Sequence, residues 1–131
     1  MNGDAASTHP MWFPPDHPLV VRVRGLCMPY PEAVEAISHG RCTFRAGKRQ
    51  FAIVGSAAEP AVLFVPDDLE RPVLLERDDV FVPPYEGAYG WLALRIEPDA
   101  GDWELLGELL DTSYRIVALQ RQLRALDERD A

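Results

Sequence analysis

The sequence predicts one α+β domain of two layers: a helix, a mostly antiparallel sheet, and a long C-terminal helix packed across that sheet. Three observations carry this expectation. Residues 41–55 alternate apolar and polar side chains around a tight turn, and residues 91–96 alternate in the same way. From Trp103 onward, apolar residues recur at helical spacing in a stripe wide enough to cover a sheet.

Residues 1–15 form an N-terminal tail, polar and then proline-rich, with no periodicity. Met11, Trp12 and Phe13 are expected to tuck against the domain, which spans residues 16–131. Asp16 is a candidate helix cap, with Pro18 in the first turn. Residues 19–28 fit two periods. Leu19, Val21 and Val23 alternate as in a strand, while Leu19, Val20, Val23, Leu26 and Cys27 share one helical face. Pro29 and Pro31 end the element in either case. Residues 32–38 suggest a short strand or turn leading to Gly40.

The clearest β signal follows. Cys42 and Phe44 alternate with Arg41, Thr43 and Arg45. Ala46-Gly47-Lys48 turns the chain, and residues 50–55 return with Phe51 and Ile53 toward the core. Residues 61–65 are almost continuously apolar and form a third strand. Pro66-Asp67-Asp68 begins a capped turn, and residues 69–76 suit a short helix. Residues 80–82 are extended. In the strand 91–96, Trp91, Ala93 and Arg95 fall on one face and Leu92, Leu94 and Ile96 on the other. Asp102 caps the last helix, expected to run from Trp103 to about Glu128. Its stripe is Leu105, Leu109, Thr112, Ile116, Leu119, Leu123 and Leu126, widened by Leu106, Leu110, Ser113 and Val117.

Charge and composition limit the function. The 131 residues carry 21 acids against 13 Lys and Arg, a net charge of −8, so the molecule as a whole repels phosphate. No run of 18 apolar residues occurs, so no membrane span is expected. The N-terminus lacks a basic start followed by an apolar stretch, and the two cysteines match no ligand or disulfide pattern. A cytoplasmic protein with Cys27 and Cys42 buried as small apolar residues is expected. The charge is unevenly spread. Between Ala36 and Ala58 there is no acid, yet Arg41, Arg45, Lys48 and Arg49 lie there.

Catalytic and metal chemistry lack their motifs. Ser113-Tyr114 sits inside a helix without a partner histidine or a strained nucleophile turn, so helix packing is the expectation. His39 follows Glu35 by four positions, but two ligands do not make a metal site. No catalytic residue, metal or cofactor is implied. The most unusual loop is 83–91, where Tyr85, Tyr89 and Trp91 stand among prolines and glycines. Such a loop lines a pocket or an interface, or else shapes a turn with Trp91 filling the core.

Four local words in order resemble the MmcQ/YjbR family of small bacterial proteins. They are Leu26-Cys27-Met28-Pro29-Tyr30-Pro31, the run from His39 to Lys48 preceded by Glu35, Gly90-Trp91-Leu92-Ala93-Leu94, and Leu109-Leu110-Asp111-Thr112-Ser113-Tyr114. The likeness spans about residues 16–125. It implies a two-layer fold related to secretion-chaperone-like and frataxin-like folds, with residues 19–28 as a helix. It also brings a DNA-binding label, derived from a double-wing arrangement of hairpins, and no catalytic activity.

The leading expectation is therefore a non-enzymatic binding protein. Its basic hairpin wing, Arg41, Arg45, Lys48 and Arg49, would make weak, salt-sensitive contacts to DNA phosphate. Two other classes stand beside it. One is a chaperone-like adaptor that engages a protein partner through the sheet face and the 83–91 loop. The other is a small-ligand protein with a pocket near Tyr85, Tyr89, Trp91, Tyr114 and His39.

Overall fold

The structure, a computed structural model, describes residues 11–131. Six strands form one antiparallel sheet: β1 (Ala33–Ser38), β2 (Arg41–Ala46), β3 (Arg49–Ser56), β4 (Glu59–Phe64), β5 (Val80–Phe81) and β6 (Leu92–Arg95). Their order across the sheet is β1-β2-β3-β4-β6-β5. The first four make a meander of tight hairpins. His39 and Gly40 both have positive φ (52° and 75°), as a two-residue hairpin turn requires. Gly47, at φ +66°, opens the next turn, where Ala46 pairs with Arg49. The described helices are α1 (Pro18–Cys27), α2 (Arg71–Leu74), α3 (Trp103–Val117) and α4 (Gln120–Asp130). The expected α+β class stands, and residues 19–27 are helical, with Met28 as the C-cap. No described helix is long and apolar enough to cross a membrane.

One face of the sheet carries the main core. Cys42, Phe44 and Ala46 from β2, Phe51 and Val54 from β3, Val62 and Phe64 from β4, and Leu92 and Leu94 from β6 meet Leu19, Val20 and Val23 of α1 and Leu106, Leu110 and Tyr114 of α3. Polar groups on this side are tied. Ser113 donates to the Phe51 carbonyl (2.7 Å) and accepts from the Val65 amide (2.9 Å). That small residue lets α3 approach the sheet while bridging two strands. Cys27 and Cys42 are free and buried, and burial pushes both thiols up.

Several expectations need correction. The cap of α1 is His17, whose Nδ1 accepts from the Leu19 amide, rather than Asp16. Ile53 lies on the opposite face from Phe51. A bulge makes Phe44 pair with Ala52 and Arg45 with Gln50, so Phe51 is the extra residue and the alternation resets there. The helix 69–76 shortens to α2, Arg71–Leu74.

The last helix is broken. Ala118 and Leu119 are extended (ψ 153° and 160°), separating α3 from α4. An unbroken helix over 103–128 would reach about 40 Å, roughly twice the length of the strands beneath it. The break turns α4 back onto the 29–32 turn. Gln122, 1% exposed, accepts from the Leu119 amide (2.7 Å) and donates to Glu32 (3.0 Å). Arg121 donates twice to Glu32 (2.9 and 3.0 Å), and Arg129 donates to the Pro29 carbonyl. The Arg121 and Gln122 hydrogen bonds hold the Glu32 carboxyl down at about 2. The buried stripe of α3 is also rotated from the expected one: Leu106, Leu110, Ser113 and Val117 join Leu109 and Tyr114, while Ile116 and Leu119 stay exposed.

Of the tail, residues 1–10 lie outside the described residues. Phe13 is buried, against Gly55, where an added Cβ would sit 2.6 Å from the Phe13 ring. Trp12 is exposed.

Candidate binding groove on the open face of the sheet

The four helices bury their residues on the Phe44–Phe51 side of the sheet, and the second face carries a separate, smaller cluster. Arg41, Thr43 and Arg45 of β2 point there, opposite the Cys42–Phe44–Ala46 side, as do Gln50 and Ile53 of β3 through their pairing. A small apolar cluster of Ile53, Ala61, Leu63 and Ala93, flanked by Phe81 and Trp91, forms the floor. Above it runs the 83–91 loop, containing one turn of 3-10 helix (Glu86–Tyr89).

Three contacts pin that loop. Glu86 forms a largely buried ion pair with Arg41, which also donates to the Gly55 carbonyl (3.3 Å). Arg71 donates to the Gly90 carbonyl (2.8 Å). Gly87 packs so close to Val82 that a Cβ would collide with the valine methyl. At the loop's crest Tyr85 holds φ 76° and ψ −70°, with its carbonyl-side neighbours joined by a Glu86 N–H to Pro84 carbonyl bond (2.9 Å). This is a γ-turn with positive φ, a strained state for a bulky residue. The residue is 78% exposed, and its ring meets that of Tyr89, itself 77% exposed, at 6.4 Å.

Between loop and sheet lies an open groove of about 490 Å³, lined by Ser38, His39, Arg41, Thr43, Gln50, Ile53, Tyr85, Glu86 and Trp91. A second depression, toward Trp12 and Pro84, shares His39, Arg41, Tyr85 and Glu86 with it. A third lies at the tip of the β2–β3 hairpin, lined by Lys48, Arg49, Gln50, Tyr89 and Trp91 together with Val65, Ile116 and Val117. Gln50 and Trp91 line both the groove and this third depression.

The four basic residues of the hairpin thus divide. Arg41 is spent on Glu86 and Gly55. Arg45 is half-buried, and its Nε is buried without a hydrogen-bond partner among the described residues. Lys48 and Arg49 at the tip are exposed and form no side-chain hydrogen bond or ion pair among the described residues. Tyr85 and Trp91 line the groove, and Tyr89 joins Trp91 in the hairpin-tip depression. Tyr114 does neither: it is fully buried on the other side of the sheet, stacked near Tyr30 and Phe51, with its hydroxyl donating to the Pro31 carbonyl (2.7 Å). Burial pushes that phenol up from its ordinary value. Glu35 is paired with Arg24 of α1 (2.6 Å). The described residues hold no group of three His, Cys, Asp or Glu side chains fit for a metal.

Sequence reasoning missed Ser38, Thr43, Gln50 and Ile53 as lining residues, and Glu86 as the partner of Arg41. The alternation in β2 was the available signal, since it sends Arg41 and Thr43 to one face together.

A six-stranded antiparallel sheet with helices on one face and a strapped groove on the other defines a small two-layer α+β domain. A sequence model of the YjbR family matches residues 28–116, and the chain belongs to that family. The fold is similar to the crystal structure of Deinococcus radiodurans protein DR2400, a DUF419 domain. The TM-score is 0.62 at 21% identity, with 84% of this chain and 90% of that one covered. A comparison with curated proteins finds no significant match.

Proposed function

We propose that the chain is a non-enzymatic nucleic-acid-binding protein that holds a single strand weakly at the tip of its β2–β3 hairpin. One observation carries this reading: Lys48 and Arg49, two cations without partners among the described residues, line the same depression as Tyr89 and Trp91. Cations beside aromatic faces are the combination that binds unpaired nucleotides, the cations by attracting phosphate and the rings by stacking on bases. The net charge of −8 opposes the approach of any polyanion, which makes the binding weak and confined to low salt. A non-catalytic role is supported by Ser113, whose hydroxyl is committed to two backbone groups. The test is fluorescence anisotropy of labelled single-stranded and duplex DNA at about 20 and 150 mM salt. Binding of the single strand at low salt, lost in Lys48→Ala/Arg49→Ala, is expected.

A second reading, docking of a protein partner, is favoured by Tyr85 and Tyr89, an exposed aromatic pair on a pinned loop. Rigid tyrosines make good interface anchors because little side-chain entropy is lost on contact. No binding of either DNA at low salt by the folded protein would move the function to this loop.

A further inference from the structure

The groove and the hairpin-tip depression differ in charge but share two walls, and together the geometry points to a composite nucleotide site. In it, an unstacked base lies in the groove under the 83–91 loop while its phosphate meets Lys48 and Arg49. This deepens the single-strand reading above and rests on it. The groove cancels its own charge, since Arg41 and Glu86 are paired with each other. It therefore suits a neutral group rather than an anion. Its volume of about 490 Å³ is that of a small-ligand site. Ile53 and the Trp91 ring supply apolar walls for a flat heterocycle.

Two polar side chains in the groove are idle. Thr43 spends its hydroxyl on the Ala36 carbonyl (2.9 Å), but Gln50 and Ser38 form no side-chain hydrogen bond among the described residues. The Gln50 amide offers donors and an acceptor side by side, which matches the edge of a base. The hairpin-tip depression holds the opposite chemistry: two cations and no carboxylate among its lining residues. Lys48 and Gln50 are two residues apart, about 7 Å along an extended chain, so a single nucleotide can reach from one to the other. The strained Tyr85 is consistent with this placement, because backbone strain persists where the surroundings hold a residue in position for a ligand.

The experiment compares a six-nucleotide oligothymidylate with an abasic oligomer of the same length, both labelled, by anisotropy at about 20 mM salt. The base-bearing strand should bind about tenfold more tightly than the abasic one, the scale of one stacked base. Ser38→Phe, which fills the groove away from the hairpin tip, should shrink that preference and leave abasic binding unchanged, whereas Gln50→Ala, which removes an amide lining both depressions, should weaken the base-bearing strand more than the abasic one. Lys48→Ala/Arg49→Ala should weaken both probes alike. The Gln50→Ala variant keeps the test decisive if Ser38→Phe does not fold. Equal affinity for the two oligomers in the wild-type protein overturns the base site and leaves the phosphate contact standing. Failure of both oligomers to bind overturns both.

Discussion

The two faces of the sheet treat their polar groups in opposite ways. On the helix side, Ser113, Tyr114 and Gln122 are buried and each has committed its side chain to a defined partner. On the open side, Gln50 and Ser38 have none among the described residues, Lys48 and Arg49 at the hairpin tip beside it have none either, and Arg45 keeps a buried Nε without one. A buried polar group without a partner costs stability, so satisfied groups mark a face built for folding. On the open side the uncommitted groups reach solvent, beside a strained tyrosine and a pinned aromatic loop.

That contrast makes mutational effects unequal, and four experiments sharpen or break it. The largest loss is expected for Tyr114→Ala, which empties the largest fully buried side chain. Urea denaturation should give a loss of about 3–5 kcal/mol, and oligonucleotide affinity should not change while the protein stays folded. Ser113→Ala comes next. It leaves the Phe51 carbonyl and the Val65 amide without their hydroxyl, for a loss of about 1–3 kcal/mol in the same assay.

The third experiment is a pH titration. Glu32 has its carboxyl lowered from 4.5 to about 2 by Arg121 and Gln122, so its charged form favours the folded state. The stabilisation is fully present above pH 4.5 and fades as pH falls from there to about 2. Amide exchange in α4 should accelerate across that window, and Glu32→Gln should flatten the dependence. A flat wild-type profile would show that the 29–32 turn does not hold α4. The smallest effect is expected at Tyr85. Glycine there removes the positive-φ strain and should stabilise the fold by about 1 kcal/mol, read as a rise in Tm. A drop in Tm would mean that the loop conformation is unstrained.

How much of this was legible in the sequence follows from the range of the interactions. The strand pattern of β2 and β6 and the start of α3 rest on local alternation and on the Asp102 cap, whose carboxylate accepts from the Leu105 amide (3.0 Å). Local signals of that kind survive in one dimension. The break at Ala118 was hidden because its cause lies about 90 residues away, in Glu32. The face of Ile53 was hidden by a bulge that shifts the register by one residue, which reverses every later side chain. At the site, the basic cluster and the aromatic loop were both visible as compositions. Their meeting at Gln50 and Trp91 was not, since it depends on how the loop crosses the sheet. The removal of Arg41 from the basic cluster by Glu86 was equally invisible, since the two lie 45 positions apart.

The central claim is that two free cations, and not four, meet phosphate. The slope of log affinity against log salt concentration for a single-stranded oligonucleotide tests it most directly. Two contacts give a slope of about −1.4, whereas four would give about −2.8. A slope near the first value, abolished by Lys48→Ala/Arg49→Ala and untouched by Arg41→Gln, is expected. A slope near the second, or one that falls when Arg41 is replaced, would contradict the division of the hairpin into a paired base and a free tip.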